Sequence, residues 1–310
     1  MISVFQQEHF NSFLAETGLL EPFRYTVTRN GCEVGILQGY IQRDGGTVKR
    51  FFTRRAVING GPWLASDIST DEIESLLQRC INGLKKRVIF IELRNFADYS
   101  QYRHIFEAAG FTYEPHYNFV IDTSSAETVD TNMGKSRKRD VNASMKNGAS
   151  VIENPTKDEV VEFYSILQNL YKTKVKTPLF PLSFFLQLHT EPFSKFILVK
   201  HQDEIIGGTV LVYDDETVYE WFACGKDSEF KKFFPSTVAT YCGIRYSAES
   251  GHKSFDMMGA GAPGDGGYGV RDFKAKFGGI LVEYGRFKHI CNRQLYAIGN
   301  LGVRFIKHFG

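Results

Sequence analysis

The 310-residue chain contains no run of eighteen apolar residues, no CxxC pair, and no HxH, HxxH or HExxH spacing among its eight histidines. The first absence leaves no expected membrane span, and the other two leave no expected metal site. The opening residues, MISVFQQEHF, lack a basic segment followed by an apolar one, so no signal peptide is expected. Cys32, Cys80, Cys224, Cys242 and Cys291 are widely scattered. That spacing argues against a disulfide framework and fits a reducing, cytoplasmic setting. Excess charge is lacking too. Lys and Arg number 37 against 35 Asp and Glu, a net charge of +2, so any basic patch must be local.

What is present is a globular composition, 43% hydrophobic and 14% aromatic, in a chain long enough for two domains. A short helix is expected within 5–17. Phe23 to Thr28 and Glu33 to Ile41 flank Asn30-Gly31, a pair that supplies the positive φ of a type I′ hairpin turn. Residues 47–58 read as a strand. Ser69 and Glu72 form a capping box before a helix with Ile73, Leu76, Leu77, Cys80 and Leu84 on one face. Arg87 to Leu93 reads as a buried strand, Tyr99 to Ala109 as a helix stopped by Gly110, and Tyr117 to Asp122 as a closing strand. Ser124 to Asn132 is polar and aperiodic, which places a domain boundary there and gives domains of 1–130 and 131–310. A basic helix over 134–148 follows, then a strand at 150–153. Thr156 and Glu159 cap a second amphipathic helix. Beyond a short helix at 183–189, a three-strand meander covers Phe196 to Cys224, and Pro235 opens a helix that ends at Gly251. The similar order of elements in both halves predicts two related α+β units without letter-level repeats.

Six of the eleven residues from Gly259 to Gly269 are glycine, after the apolar run Phe255 to Met258. Backbone amides can approach a ligand closely in such a loop. YGVRDFKAKFGG (268–279) follows, and Ile280 to Arg286 reads as one strand. The order apolar strand, GxG loop, YGVxDFKxKFGG and EYGRF resembles the C-terminal part of FemAB-like proteins, tandem-domain members of the GNAT acyltransferase superfamily. Residues 134–150, GKSRKRDVNASMKNGAS, and 217–251 are similar to further stretches of that family. The resemblance spans about 85–290. It implies two tandem GNAT-like domains, each a mixed, mainly antiparallel sheet with flanking helices.

It also implies transfer of an acyl or aminoacyl group to an amine of a cell-envelope precursor, such as a nucleotide-linked sugar or peptide. Charged tRNA is the implied donor, a co-substrate and not a tightly bound cofactor. An acyl-CoA-dependent N-acyltransferase and a catalytically silent binding module stay open as alternatives. The long coiled-coil arm of some family members has no heptad counterpart here. By resemblance, Phe273 and Lys274 occupy the family's functional Phe-Lys position, and an arginine of the 135–146 run, Arg137 or Arg139, contacts a pyrophosphate.

The residues themselves suggest the chemistry of amide formation. Such transfer needs an amine held against a carbonyl and a positive group for the developing oxyanion. Lys274, expected near the surface, can supply that charge. Asp256, at a strand end, and Glu220, in an apolar strand, are candidate bases. Strict alternation would put Tyr219, Trp221 and Ala223 on one face of their strand and Glu220, Phe222 and Cys224 on the other. Cys224 is a nucleophile in principle only, since no histidine lies near it in sequence. Tyr219, Trp221, Tyr268, Arg271 and Lys276 are candidate substrate contacts. Lys226, Lys231, Lys232 and Ser236 lie at the turn before the Pro235 helix, where a phosphate would meet unpaired amides. That turn lacks the glycines of a CoA-binding pattern, and it also reads as a plain solvated basic turn. The 135–146 run likewise reads as a solvated helix face.

Overall fold

The computed structural model describes residues 2–44 and 47–299, the side chains of 47–49 and 268 excepted. The chain divides into two compact units, Met1–Pro115 with the segment from Tyr284 onward, and His116–Glu283. The division therefore falls at 115/116 and not at 130/131. Ser124 to Asn132 is no linker: Ser125 caps a helix over Ala126–Asn132 and Val129 is fully buried.

In the first unit the order is α1 (Glu8–Glu16), β1 (Glu21–Arg29), β2 (Cys32–Gln42), α2 (Thr47–Thr53), β3 (Arg55–Gly60), β4 (Trp63–Leu64), α3 (Thr70–Leu84), β5 (Phe90–Asn95), α4 (Arg103–Ala108) and β6 (Thr112–Glu114). The β1–β2 turn has Asn30 and Gly31 at φ 52° and 81°, as the Asn-Gly pair predicts. The capping box on α3 closes in both directions between Ser69 and Glu72. Ile73, Leu76, Leu77, Cys80 and Leu84 pack with Leu37, Ile58, Ile91 and Leu93 in one core. The strand expected at 47–58 is a helix followed by a strand. The Thr53 hydroxyl accepts from Asp44 N at 2.9 Å, and Asp44 pairs with Arg55 at 2.6 Å. These contacts close a loop at Thr53, and extended pairing with β5 starts only at Arg55.

The second unit carries β7 (Tyr117–Asp122), α5 (Ala126–Asn132), α6 (Lys135–Lys146), β8 (Ala149–Ile152), α7 (Lys157–Leu170), α8 (Leu182–Leu188), β9 (Ser194–His201), β10 (Glu204–Tyr213), β11 (Thr217–Gly225), α9 (Pro235–Glu249), β12 (Ser254–Asp256), α10 (Tyr268–Ala275) and β13 (Ile280–Glu283). Its sheet runs β13-β7-β12-β11-β10-β9-β8, antiparallel except for the β11/β12 pair. A core of Ile121, Leu211, Val218, Ile244, Phe255 and Phe277 lies on one face.

Ile280 to Arg286 is not one strand. Gly285, at φ 63°, breaks it, and the following strand β14 (Arg286–Ile290) joins the first unit's sheet between β5 and β6. A side chain at Gly285 would meet the Tyr113 ring at 2.3 Å, so only glycine fits that crossing.

The C-terminal end of α10 is fixed against the segment that leads into α6. Gly134 N donates to Lys276 O at 3.0 Å. Gly278, at φ 86°, leaves no room for a Cβ, which would lie 2.3 Å from Asn132 O. Gly278→Ala should therefore cost about 2–4 kcal/mol, measured by urea unfolding. Gly269 sits in α10 at negative φ, and a methyl added there would meet nothing within 4 Å. Gly269→Ala should be neutral or gain up to about 1 kcal/mol. Equal effects from the two changes would contradict this placement of α10.

Candidate active site

The site is built where the two parallel strands part. β11 pairs with β12 only from Thr217 to Tyr219, against Ser254 to Asp256. Asp256 thus ends the shared ladder, and Glu220 is the first β11 residue beyond it. The loop to α9 and the glycine loop to α10 leave from the carboxyl ends of these strands. In sheets with parallel strands this is where ligands are placed.

A hydrogen-bond network shapes the start of the glycine loop. Asn118, buried on β7, donates through Nδ2 to Asp256 Oδ1 at 2.8 Å. Its Oδ1 accepts from Gly259 N at 2.7 Å and Phe119 N at 2.8 Å. Met258 N donates to the same Asp256 oxygen at 2.7 Å. Met258 itself has φ 57°, a left-handed conformation that costs a non-glycine residue about 1–3 kcal/mol. The bonds on either side hold it there. As a result the Met257 and Gly259 carbonyls converge on one point.

Lys274 Nζ occupies that point. It donates to Met257 O, and to Gly259 O at 2.7 Å. The expectation of a near-surface lysine is therefore corrected. The stem keeps partial exposure, but α10 turns the ammonium inward. Burial lowers its pKa, while Glu220 and Asp256 act to hold its proton. Burial raises both carboxyls in turn. Asp256, 2% exposed, is pushed up to about 6 against the opposing pull of Asn118, Met258 N and Lys274. Glu220, 6% exposed, is also raised, and Lys274, Thr240 and Thr209 oppose the rise. One lysine and two carboxyls are thus buried and electrostatically coupled, a grouping found at acid–base sites and in structural ion clusters alike.

The strand face differs from strict alternation. The β10–β11 register shifts between Val210 and Leu211, which face Phe222 and Glu220, so Trp221 is the extra residue of a bulge. Trp221 and Phe222 consequently both reach Phe180, at 6.2 and 6.4 Å between ring centroids. Tyr219 is buried, and its hydroxyl donates to Asp214 Oδ2 at 3.1 Å, away from the lysine network. Cys224 is 3% exposed and burial pushes its thiol far up, which removes it as a nucleophile.

Arg137 and Phe273 lie beside the lysine. The Arg137 guanidinium sits 4.5 Å from the Phe273 ring centroid and 5.1 Å from that of Phe277. It donates to Thr237 Oγ1 at 3.2 Å and Phe273 O at 3.4 Å, and Asp140 lies 3.5 Å away. Its buried Nε has no hydrogen-bond partner among the described residues. Arg137 thereby ties α6, the first turn of α9 and α10 together. Arg139, in contrast, projects outward with 78% of its side chain exposed. Arg271 pairs with Asp265 and lies over Tyr117, Lys276 is exposed, and the Tyr268 side chain lies outside the described residues.

At the α9 turn the anion seat is taken. Asp227 accepts from Ser236 N at 3.2 Å and from the Ser236 hydroxyl. Lys226 pairs with Glu204, while Lys231 and Lys232 are exposed. The donor-phosphate contact expected at Ser236 thus faces a carboxylate already in place.

Comparison with known proteins agrees with this architecture. The FemAB family model matches residues 186–302, which include β11, Asp256, the glycine loop and Lys274. Over those residues the chain is FemAB-like. No curated protein sequence matches it. Among solved structures, FemX superposes with a TM-score of 0.72 at 14% identity, over 95% of this chain and 94% of that one. The L-PGS of Bacillus licheniformis superposes with a TM-score of 0.57 at 14% identity, over 96% and 92%. A tandem GNAT protein from the clavulanic acid biosynthesis pathway gives 0.55 at 12% identity, over 88% and 84%. The fold is a tandem GNAT-like α+β arrangement. Among the described residues no helix is long and apolar enough to cross a membrane.

The raised Asp256 carboxyl gives a stability test with a definite sign. The folded state holds this proton up to about pH 6, whereas an unfolded Asp releases it near pH 4. The group therefore lowers stability as pH rises from about 4 to about 6, by up to about 3 kcal/mol. Asp256→Asn should gain on the wild type across that window, read as a widening difference in unfolding midpoint. A difference that stays flat would show that the carboxyl ionises normally.

Proposed function

We propose that this FemAB-like chain is an N-acyltransferase that moves an aminoacyl group from an ester donor to an amine of a cell-envelope precursor. The observation that carries the reading is the Lys274 ammonium, bound to two loop carbonyls and electrostatically coupled to two buried carboxyls. An ammonium has three donors. Two are taken by Met257 O and Gly259 O, and the third is left for the carbonyl oxygen of a bound acyl group. As the acceptor nitrogen attacks, that oxygen becomes an oxyanion, and a fixed positive charge in a dry pocket stabilises it without reorganisation. Asp256, with its pKa near 6, is suited to take the proton released by the attacking nitrogen. The C–N bond forms, the ester C–O bond breaks, and the departing oxygen leaves as an alcohol with a proton returned to it.

An RNA-borne aminoacyl ester is favoured over acyl-CoA as donor. The α9 N-terminus, where a CoA pyrophosphate would seat, presents the Asp227 carboxylate to its own Ser236 amide. A pyrophosphate there would have to displace a like charge. The FemAB-like character supports a nucleotide-linked sugar or peptide as acceptor.

The decisive substitution is Lys274→Met. It should lower kcat with an aminoacyl-tRNA donor by about 10²–10³. It also leaves two carbonyls without their donor, so unfolding midpoints must confirm that the variant folds. Lys274→Arg, which keeps the charge, should fold but recover little activity, because the planar guanidinium cannot meet both carbonyls in the same way. A folded Lys274→Met with turnover within a factor of about three of wild type would discard the mechanism. A large CoA-dependent rise in unfolding midpoint, about 2.7 kcal/mol at a hundredfold excess over Kd, would discard the choice of donor.

A further inference from the structure

Helix α6 presents a face whose charges work against the helix that carries them. It has five cations, Lys135, Arg137, Lys138, Arg139 and Lys146, and one acid, Asp140. Arg137 and Asp140 turn inward. The outer face is left with Lys135, Lys138, Arg139, Asn142 and Lys146, at spacings of three, four, seven and eleven residues from Lys135, one stripe of a helical surface. With Ala143 these residues line a shallow open groove of about 540 Å³. The stripe extends along about 17 Å of helix axis.

The N-terminal half of this face breaks local rules of helix stability, while Lys146, in the last turn, sits where the dipole favours a cation. Gly134 supplies no side-chain cap, and no acid stands in the first turn. Instead Lys135 and Lys138 meet the positive end of the helix dipole. Lys135 also repels Lys138 and Arg139 at i+3 and i+4. The chain can build helices that obey these rules: α3 and α7 both have a closed capping box and two acids in the first turn. Among the described residues, Lys135, Lys138 and Lys146 form no ion pair, whereas Arg137, Arg139, Lys226 and Arg245 all do. In a molecule of net charge +2, this is a local concentration of unneutralised charge.

The stripe continues past the helix. Asn147 Nδ2 donates to Lys232 O at 3.0 Å, and Ser144 Oγ donates to Phe233 O. Those bonds place the exposed Lys231–Lys232 pair at the C-terminal end of α6. Apolar surface is sparse along it: Val141 is buried, and only Met145 is exposed, at 37%. A helix that lies on a membrane needs an apolar face to insert, and α6 does not offer one. A row of hydrogen-bonding cations without apolar residues instead complements a phosphate backbone.

The geometry points to the outer face of α6, with Lys231 and Lys232, as a docking surface for the sugar-phosphate backbone of a folded RNA. This rests on the transferase reading, in which the acyl group arrives on RNA, and it assigns the RNA body a seat separate from the Lys274 pocket. The contacts are to phosphates, so docking is insensitive to sequence and steeply dependent on salt.

The test uses the full chain and unacylated tRNA as probe, with dissociation constants measured across a salt series. The variant Lys135→Gln/Lys138→Gln/Lys146→Gln removes three charges while keeping good helix formers, and loss of repulsion should leave it as stable as the wild type or more so. Its slope of log affinity against log salt should be shallower by about 2–3, with affinity at low salt down at least about tenfold. An unchanged slope and affinity would overturn the proposal. So would a loss of binding to phosphatidylglycerol vesicles with tRNA binding intact, which would make the stripe a lipid contact. Lys274→Met separates the two readings. If it binds tRNA like the wild type, the docking surface stands, whether or not the wild type transfers from charged tRNA. If transfer depends on Lys274 while the triple variant binds tRNA normally, only the docking surface falls.

Discussion

The inward-turned Lys274 ammonium is the constraint on which the second unit's site depends. It closes a loop that holds a left-handed Met258 and two converging carbonyls, and it adds its charge to the hydrogen bonds that already support two buried carboxyls. Each of these features is unfavourable alone. A buried carboxylate pays desolvation, a buried ammonium does too, and a positive φ at methionine is strained. Together they offset one another: the carbonyls and carboxyls stabilise the cation, and the cation fixes the carbonyls. The arrangement is a polar cluster in a low-dielectric setting, where fixed charges act strongly on a reacting group.

The secondary structure around this cluster can be understood as its support. Asn118 on β7 holds both Asp256 and Gly259, so a neighbouring strand, not the loop itself, sets the loop's entry angle. Arg137 stacks against Phe273 and reaches Thr237, which locks the helix bearing Lys274 to two others. Gly278 and Gly134 bring backbone close to backbone at the far end of α10. A lysine rotamer is soft, but a lysine near the anchored end of a helix is less so. The glycine loop between Gly259 and Gly267 supplies the path from β12 to that helix.

Much of this was legible in the residues. Capping boxes at Ser69–Glu72 and Thr156–Glu159, the Asn30-Gly31 turn and the meander into β11 follow local rules, and local rules decide them. Asp256 and Glu220 could be singled out as acids in apolar or glycine-rich surroundings, and Lys274 by the glycine loop before it together with its resemblance to the family's Phe-Lys position. Three features were not legible. The depth of Lys274 depends on where α10 docks, which the residues flanking it do not specify. The bulge at Trp221 depends on β10, the partner strand, and it reverses the facing that period-two alternation predicts. The split of 280–286 into strands of two different sheets turns on Gly285 against Tyr113, a contact 172 residues distant in sequence. Asn118 was missed, although a polar residue in the apolar strand YNFVID is a signal that marks a network member without naming its partners.

The same logic separates the two basic regions of the second unit. Arg137 is enclosed, stacked and hydrogen-bonded, so its charge is committed to the internal architecture, with one buried Nε left unmatched. The lysines of the outer α6 face form no ion pair among the described residues, and Lys135 and Lys138 sit where the helix dipole and their own neighbours oppose them. A charge that lowers the stability of its own element and has no internal partner is best explained by an external one. The fold thus divides positive charge into an inner set, which arranges the surroundings of Lys274, and an outer set, whose natural complement is a polyanion. At the turn between α9 and β11 the pattern inverts: Asp227 fills the amide seat that a diphosphate would occupy. Placed together, these features favour a donor held by an extended phosphate backbone at the surface over one gripped by a single pyrophosphate at a helix end.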